Sequence, residues 1–363
     1  MKEINSLDNI FADFKRLLLI ALGKRDCFDS PISAKRWEQL FAESEKQSLS
    51  GVMLSGIEKL PMHQMPPHCL LLEWIGTANY IEMVNTQQCD QIREISETFN
   101  KVGIRTCLLK GQSAASLYPN SYRRQSGDID LWVDCGRRNA IKYCQEKWGT
   151  DHIDVKNLIV KSIPNVYLEV HFMPSIFYNP LTGRKFRKWY GQQMETQFSN
   201  RSEKGFCMPT IEFSLVYCLI HIYRHQFDEG IGLRQLMDYY YVLMNSKEEE
   251  RKKALVTLSE LGMARFCGAV MFVMRDFFDI DECHLLSEPD ERLGKKLAAD
   301  IQRGGNFGHY DERNAHGEEN RWQRGLRNIR HNYMLLLDYP SEVLWSPIWK
   351  CWHWLWRKTH GYL

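Results

Sequence analysis

One short segment limits what this chain can fold into. Residues 128–134 read Asp-Ile-Asp-Leu-Trp-Val-Asp, and aspartates alternate with apolar side chains at the start of the segment. Because successive side chains of a strand point to opposite faces, this alternation predicts a β-strand with one face in water and one in the core. The chain is therefore expected to contain a sheet with a polar, accessible strand face.

Helical periodicity dominates on both sides of that strand. Apolar residues recur at three- and four-residue steps within residues 1–100, and the same pattern returns from residue 211. Three further strand-like segments lie in the middle of the chain, at residues 104–109, 158–163 and 166–172. We therefore predict the α+β class, with a small mixed-sheet core flanked by N-terminal and C-terminal helical regions.

The length predicts more than one structural unit. At 363 residues, the chain exceeds the usual size of a compact domain. We expect four parts in chain order: an N-terminal helical region at 1–100, an α/β core at 101–205, a C-terminal helical domain at 206–300, and a tryptophan-rich tail at 301–363 that packs on the body.

The charge balance restricts the class of partner. The chain has 47 lysines and arginines against 45 aspartates and glutamates, which gives a net charge of +2. A long nucleic acid needs many cations for its phosphates, so a small molecule or a protein is favoured as the partner. Eleven cysteines without a CxxC pair indicate reduced thiols, and no apolar run reaches the roughly 18–20 residues of a membrane span. We expect a cytoplasmic protein.

Asp128 and Asp130 are the leading candidates for a functional site. Residues two apart on a strand share a face, so both carboxylates project together. Two adjacent carboxylates repel each other unless a cation lies between them, and a hard divalent ion suits oxygen ligands. The pair therefore indicates a metal site, and a solvated strand face is the alternative.

A later strand-like segment extends this candidate site. Glu169 stands between the apolar Leu168 and Val170, so its carboxylate faces away from the core. If that strand lies beside the first, Glu169 completes a cluster of three carboxylates that can hold two ions for a phosphoryl displacement. His171 shares the strand face of Glu169, and it either lines the same pocket or lies at the surface.

A turn upstream offers groups for binding phosphate. Lys110-Gly111-Gln112-Ser113 lies where a strand gives way to a helix. Glycine lets the backbone approach a phosphate, free N–H groups open the helix, and the lysine supplies a point charge. A simple helix start is the alternative explanation for the same residues.

Together these motifs resemble the DNA polymerase β-like nucleotidyltransferase superfamily, whose members have a Gly-Ser turn, an Asp-x-Asp strand and a later acidic strand residue. Leu109-Lys110-Gly111, Leu117-Tyr118-Pro119 and Gly127-Asp128-Ile129-Asp130 resemble a bacterial branch of uncharacterised nucleotidyltransferases with a Lys-Gly turn. The resemblance implies that Asp128, Asp130 and Glu169 bind metal and that Gly111 and Ser113 contact phosphate. Gln112, between that glycine and serine, departs from the superfamily pattern.

The branch resemblance reaches further residues. It includes Arg123 and Arg124 before the acidic strand, and His225, Gly232, Arg234 and Asp238 in the helices that follow. The two loop arginines would neutralise a triphosphate or hold the acceptor, and a solvated pair is the alternative. His225 and Arg234 would line the cleft or tie the helical layer together, and Arg234 with Asp238 could equally be an ordinary i,i+4 pair.

The tail carries a stripe of tryptophans. Trp345, Trp349, Trp352 and Trp356 follow one another at helical spacing, which predicts a helix that packs on the body. Because Lys350, Arg357 and Lys358 lie next to these tryptophans, the alternative is that the helix contacts a membrane surface.

The hypothesis is therefore a metal-dependent transfer of an NMP group from an NTP, expected to be ATP, to an unidentified hydroxyl acceptor with release of pyrophosphate. Mg²⁺ is the expected metal, with two ions bound and Mn²⁺ as the alternative. A catalytically inactive nucleotide-binding or regulatory protein of the same fold is the competing hypothesis, because the Gly-Gln-Ser turn is irregular.

Overall fold

Two groups of helices enclose a small β-sheet. The structure, a computed structural model, describes residues 2–164, 166–228, 230–306 and 335–362. The helices before the sheet are α1 (Lys2–Ala21), α2 (Ala34–Lys46), α3 (Ser50–Ile57) and α4 (His68–Asn100). Those between strands are α5 (Gln112–Ala115) and α6 (Gly136–Trp148). Those after it are α7 (Pro180–Ser199), α8 (Ile211–Asp228), α9 (Leu233–Met244), α10 (Glu248–Glu260), α11 (Ala264–Phe278), α12 (Glu291–Gly304) and α13 (Pro340–Thr359).

The described residues form one mixed sheet of five strands. These are β1 (Thr106–Leu108), β2 (Ile129–Val133), β3 (Thr150–Ile153), β4 (Asn157–Val160) and β5 (Leu168–His171), in the order β1-β2-β5-β4-β3. The central pair β2 and β5 is parallel, and every other pair is antiparallel. The predicted α+β class, with a small mixed sheet between helical regions, is confirmed.

Both faces of β2 are covered. Ile129, Leu131 and Val133 pack into a core that α4 and α6 complete. Trp132 points the other way, where Phe198 of α7 and Phe213 of α8 cover it. The expectation that one face of this strand meets water is therefore wrong, because two later helices close over it.

The sequence analysis missed one strand. Thr150–Ile153 forms β3 at the edge of the sheet, where it pairs only with β4 among the described residues. Thr150, Asp151 and His152 are at least partly exposed, and only Ile153 is buried. An edge strand needs no apolar face of its own, so it leaves no clear periodic signal.

The helices before and after the sheet share one hydrophobic core. Phe14 and Leu18 of α1 and Met53 of α3 lie in the same buried cluster as Leu219 of α8 and Met274 of α11. The ring of Phe11 also meets that of Phe277, with centroids 5.3 Å apart. The helical groups before and after the sheet therefore stabilise each other through nonpolar burial.

The tail helix α13 packs along one edge of the sheet. His353 lies 2.8 Å from Asp154, which follows β3, and the ring of Trp356 lies under the guanidinium of Arg137 at the start of α6. The ring of Trp349 contacts that of Tyr178 in a tilted arrangement, with centroids 5.0 Å apart. Trp352, by contrast, is about half exposed, so the predicted stripe only partly faces the body. Residues 307–334 of the expected tail lie outside the described residues.

No helix in the described part of the chain combines the length and the apolar character needed to cross a bilayer. All eleven cysteines fall in that part, and each is a free thiol.

One close approach fixes the loop before β2 against α3. A Cβ atom added to Gly51 would lie 2.3 Å from the backbone oxygen of Arg123, so the loop and the helix meet backbone to backbone. We predict that Gly51→Ala lowers the free energy of unfolding by about 1–3 kcal/mol, because neither backbone can move away without loss of other contacts. Chemical denaturation measures this change.

Gly76 provides the matched control. It lies inside α4 with nothing within 4 Å of an added Cβ, so Gly76→Ala should raise stability by about 0.5–1 kcal/mol. Equal effects of the two substitutions would contradict the close approach at Gly51.

Candidate functional site

The candidate site is built on the parallel pair β2 and β5. The register places Asp130 directly opposite Glu169, and Trp132 opposite His171. Asp130 is 1% exposed, whereas the Glu169 side chain is 18% exposed at the rim of the site. The second aspartate and the later glutamate of the sequence hypothesis therefore lie side by side.

His171 joins the two carboxylates. Its Nε2 atom lies 2.9 Å from Oδ1 of Asp130 and 3.4 Å from Oε2 of Glu169. One potential ligand atom from each of the three residues lies within 4.8 Å of the other two. The histidine is buried, so the prediction that it lies at the surface is wrong, and it contacts the two carboxylates instead.

Asp128 lies in a different environment. It precedes β2, its side chain is 30% exposed, and its Oδ2 atom lies 3.3 Å from Nζ of Lys110. The same ammonium group lies 3.1 Å from Oδ2 of Asp130, in a charge contact without good hydrogen-bond alignment. Lys110 therefore bridges the two aspartates at the position where the sequence hypothesis expects a metal ion.

Lys110 and Asp130 each stabilise the ionised form of the other. Burial lowers the pKa of Lys110, but the negative charges of Asp130 and Asp128 outweigh burial, and the lysine pKa lies above its ordinary value. Burial raises the pKa of Asp130, yet Lys110 and the hydrogen bond from His171 bring it below its ordinary value. Asp130 is therefore an ionised carboxylate in a buried position.

Glu169 and His171 form the second half of this network. Burial raises the pKa of Glu169, but the hydrogen bond to His171 outweighs it, so that the pKa is lowered overall. Burial lowers the pKa of His171, and its hydrogen bonds to Asp130 and Glu169 shift it upward. Asn157 of β4 donates a further hydrogen bond to Glu169 and holds this carboxylate in place.

The three clustered residues suit a divalent metal. Metal–ligand bonds of about 2.0–2.2 Å place neighbouring ligand atoms about 3–3.5 Å apart, which matches the two distances from Nε2 of His171. Two carboxylates and an imidazole form a donor set that Mn²⁺ and other transition metals accept as readily as Mg²⁺. The residues present therefore fit a metal site, with His171 in the place that the sequence hypothesis gave to Asp128.

The turn after β1 is anchored to α4. Gly111 has a φ of +70°, a conformation that glycine adopts without strain. Gln112 is buried, and its amide donates hydrogen bonds to the side-chain oxygens of Asn85 and Gln88 on α4. The glutamine that separates Gly111 from Ser113 is therefore a structural anchor, and Ser113 stays half-buried beside it.

The same face of α4 holds the loop before β2. Asn85 donates to the backbone oxygens of Tyr122 and Arg124 at 2.6 and 2.7 Å, and Gln88 donates to that of Gly127 at 2.6 Å. These side chains replace the hydrogen bonds that an irregular loop cannot make with itself.

The two loop arginines have different partners. Arg123 forms ion pairs with Glu58 and Glu82, so it ties the loop to the N-terminal helices, away from the carboxylates. Arg124 forms a bidentate pair with Asp238 of α9, with nitrogen–oxygen distances of 2.7 and 2.8 Å. Asp238 therefore pairs with Arg124 across the structure, and the hydroxyl of Tyr118 also donates to it at 2.7 Å.

A cleft opens beside Lys110 and Asp128. Its lining residues come from the turn, the loop and helices α8 and α9: Lys110, Gly111, Ala114, Arg124, Gly127, Asp128, Tyr217, Cys218, His221, Ile222, Arg234, Gln235 and Asp238. Arg234 donates to the backbone oxygen of Gln125 at 3.2 Å, and burial together with Arg124 lowers its pKa to about 10. The cleft is therefore lined by three cations and two carboxylates, beside the acidic cluster.

His225, which the sequence hypothesis placed in the cleft, is not among the residues that line it and lies one helical turn after His221 on α8. Its Nε2 atom lies 3.1 Å from Nε2 of His221, and it is His221 that lines the cleft. Burial and the charge of Lys110 hold the pKa of His221 well below its ordinary value, so this imidazole is neutral. The i,i+4 spacing of the two histidines was visible in the sequence, but which of them faces the cleft depends on how α8 is rotated.

Comparison with known families decides the classification. The model of the uncharacterised nucleotidyltransferase family matches residues 33–279. The chain belongs to this family. The predicted resemblance to uncharacterised nucleotidyltransferases is thereby confirmed, and nucleotidyl transfer is the general type of reaction that membership supports. No curated protein matches the chain.

Two solved structures are similar to this nucleotidyltransferase family member. One is an antigenic nucleotidyltransferase-like protein from Paracoccidioides brasiliensis, with 10% identity and a TM-score of 0.33, covering 56% of this chain and 95% of that one. The other is the Thermotoga maritima CCA-adding enzyme complexed with tRNA, with 8% identity and a TM-score of 0.21, covering 70% of this chain and 77% of that one.

The buried pair beside the cleft allows a stability test of this family member. We predict that Asp238→Ala lowers the free energy of unfolding by about 3–5 kcal/mol, because Arg124 keeps a buried charge without its carboxylate. Asp90→Ala removes an exposed ion pair with Arg93 and should change the free energy of unfolding by no more than about 0.5 kcal/mol. Similar losses in the two variants, measured by denaturant titration, would contradict the buried pair.

Proposed function

We propose that this protein is a metal-dependent nucleotidyltransferase that moves an NMP group from an NTP, with ATP as the donor, to a hydroxyl acceptor. The observation that carries the proposal is the convergence of Asp130, Glu169 and His171 next to a cleft lined with cations. Carboxylates beside cations are what phosphoryl chemistry requires, because the triphosphate is held by positive charge while a metal needs anionic ligands.

Asp130, Glu169 and His171 would hold a divalent ion, either Mg²⁺ or Mn²⁺. When bound, the ion supplies charge to the phosphate oxygens that become more negative during transfer. Asp128 is the remaining carboxylate for the second of the two expected ions, and in this structure it is paired with Lys110.

The residues of the chain supply the other parts of the reaction. Lys110, Arg124 and Arg234 line the cleft and would position the triphosphate by charge, together with Gly111 of the turn. Ser113 follows at the same turn, where its hydroxyl would contact a phosphate. The acceptor oxygen bonds to the α-phosphorus, the bond to the bridging oxygen breaks, and pyrophosphate leaves. The acceptor proton passes to a carboxylate oxygen of Asp128 or Glu169, since these two acids are the ones that solvent reaches.

The acceptor is proposed to be a small molecule or a protein side chain. The net charge of +2 and the small number of cations in the cleft do not suit a long polyanion. We also propose that the protein acts in the cytoplasm, where its eleven free thiols remain reduced.

One observation favours a second candidate function. Lys110 bridges Asp128 and Asp130, and Asp130 is almost fully buried, so the chain itself supplies a cation to this pair. A protein of this kind could bind a nucleotide without turning it over. Tight binding of an NTP with no pyrophosphate released, across protein, tRNA, sugar-phosphate and antibiotic acceptors, would favour this candidate over the enzyme.

The proposed function is tested by removing the central charge. We expect Asp130→Asn to weaken Mg²⁺-dependent ATP binding by at least about tenfold in calorimetry and to abolish pyrophosphate release, because the amide cannot replace an anionic ligand. Asp151→Asn changes an exposed aspartate of the same sheet and should leave both unchanged. Magnesium-dependent binding that survives Asp130→Asn would remove the proposal.

The role of His171 has its own spectroscopic test. If its imidazole ligates the ion, Mn²⁺ bound to the wild-type protein shows nitrogen coupling in electron spin-echo spectra, and His171→Gln loses that coupling. If His171 only orients the carboxylates, Mn²⁺ binds to the wild type without nitrogen coupling. His221→Gln is the matched control, because this histidine lies at the cleft and outside the ligand group.

A further inference from the structure

The tail helix α13 turns its polar side inward. Glu342 accepts hydrogen bonds from the backbone of Tyr178 at 2.8 Å and from Arg224 at 3.2 Å, and it is buried. His353 and Arg357, further along the same side, contact Asp154 and His152 beside β3. The face that packs on the body thus carries Glu342, His353 and Arg357 of the helix.

The opposite side of α13 is apolar and open to solvent. Leu344, Ile348 and Leu355 follow one another at helical spacing, with Trp352 and Trp354 on either flank. These five side chains are between 48% and 60% exposed. We call them the outer face of α13. A contiguous exposed patch of large apolar side chains marks a surface that meets a nonpolar partner.

Exposed cations lie at both ends of this outer face. At the N-terminal end, Asn179, which caps α7, contacts Ser341 of α13, so α7 begins beside the start of α13. The first turns of α7 carry four exposed cations and no acidic residue: Arg184, Lys185, Arg187 and Lys188. At the C-terminal end, Arg137 of α6 stacks on Trp356, and Arg138 and Lys142 follow it on the surface. Lys358 of α13 lies over the ring of Trp354. The helices that adjoin the two ends of α13 are therefore basic, in a chain of nearly zero net charge.

We propose that the outer face of α13 docks onto an anionic lipid surface. Leucine and isoleucine side chains enter the acyl boundary, and tryptophan rings prefer the headgroup level that a helix lying flat on a bilayer presents to them. Basic residues at both ends add attraction to anionic headgroups. This inference does not depend on the proposed function, because no residue of the outer face lines the cleft.

The charges argue against a second copy of the chain on this face. Two α13 helices packed through their outer faces would bring basic clusters together in either relative direction, so that like charges repel. A lipid surface of negative charge meets no such repulsion.

Vesicle flotation with the full chain tests the proposal. The protein should bind vesicles of phosphatidylcholine and phosphatidylglycerol at 3:1, bind phosphatidylcholine alone far more weakly, and lose affinity for the anionic vesicles as salt is raised. The double variant Ile348→Ser, Leu355→Ser should bind the anionic vesicles at least about tenfold more weakly. Removing two cations with Arg184→Gln and Arg187→Gln should weaken binding about fivefold for each.

A matched pair on α4 controls for the loss of exposed apolar side chains. Leu72 and Met83 are 55% and 49% exposed, so Leu72→Ser, Met83→Ser should keep wild-type vesicle binding. Circular dichroism of each variant shows whether it is folded. Wild-type protein that stays unbound to anionic vesicles at low salt overturns the proposal. An equal loss of vesicle binding in the α4 variant also overturns it. A wild-type dimer in sedimentation velocity that dissociates in the α13 double variant but not in the α4 variant overturns it as well.

Discussion

The burial of one ionised carboxylate organises the centre of this protein. A charge inside a protein is costly unless opposite charge and hydrogen bonds compensate it, and Asp130 obtains both. Lys110 comes from the turn after β1 and His171 from the end of β5, so the partners arrive from the strands on either side of β2. The charge network of the site therefore forms only when these three strands pair in the observed order. A shift in register would move Glu169 away from Asp130 and would break the charge network at the same time.

The irregular loop between α5 and β2 is held from three directions. Asn85 and Gln88 of α4 bind its backbone, Asp238 of α9 binds Arg124, and Gly51 of α3 lets the helix touch the backbone of Arg123. Each support comes from a helix outside the sheet. The cleft thus has a wall that is fixed before any ligand arrives, which reduces the entropy lost on binding. The helical regions that flank the small sheet are what make this wall rigid.

Local patterns in the sequence were sufficient for part of this picture. The two-residue period identified β2 and β5, and the position of Glu169 between Leu168 and Val170 gave its face correctly. The same pattern could not predict that the second face of β2 is buried, because α7 and α8, which cover Trp132, are far away in sequence. For the same reason Arg123 looked like a ligand residue although it binds Glu58, and the turn offered no sign that Lys110 would bridge two aspartates. Side chains whose partners are remote carry no local signature, and these were the residues that the sequence analysis misplaced or left undecided.

The shared core of the two helical groups has a consequence for biosynthesis. Phe11 reaches its partner Phe277 only after more than two hundred intervening residues have left the ribosome. Until then the apolar side of α1 has only the native cover that α2 and α3 supply, and the part of this surface that meets α11 stays exposed on the nascent chain. A protein built in this way is expected to complete its shared core only when α11 has emerged.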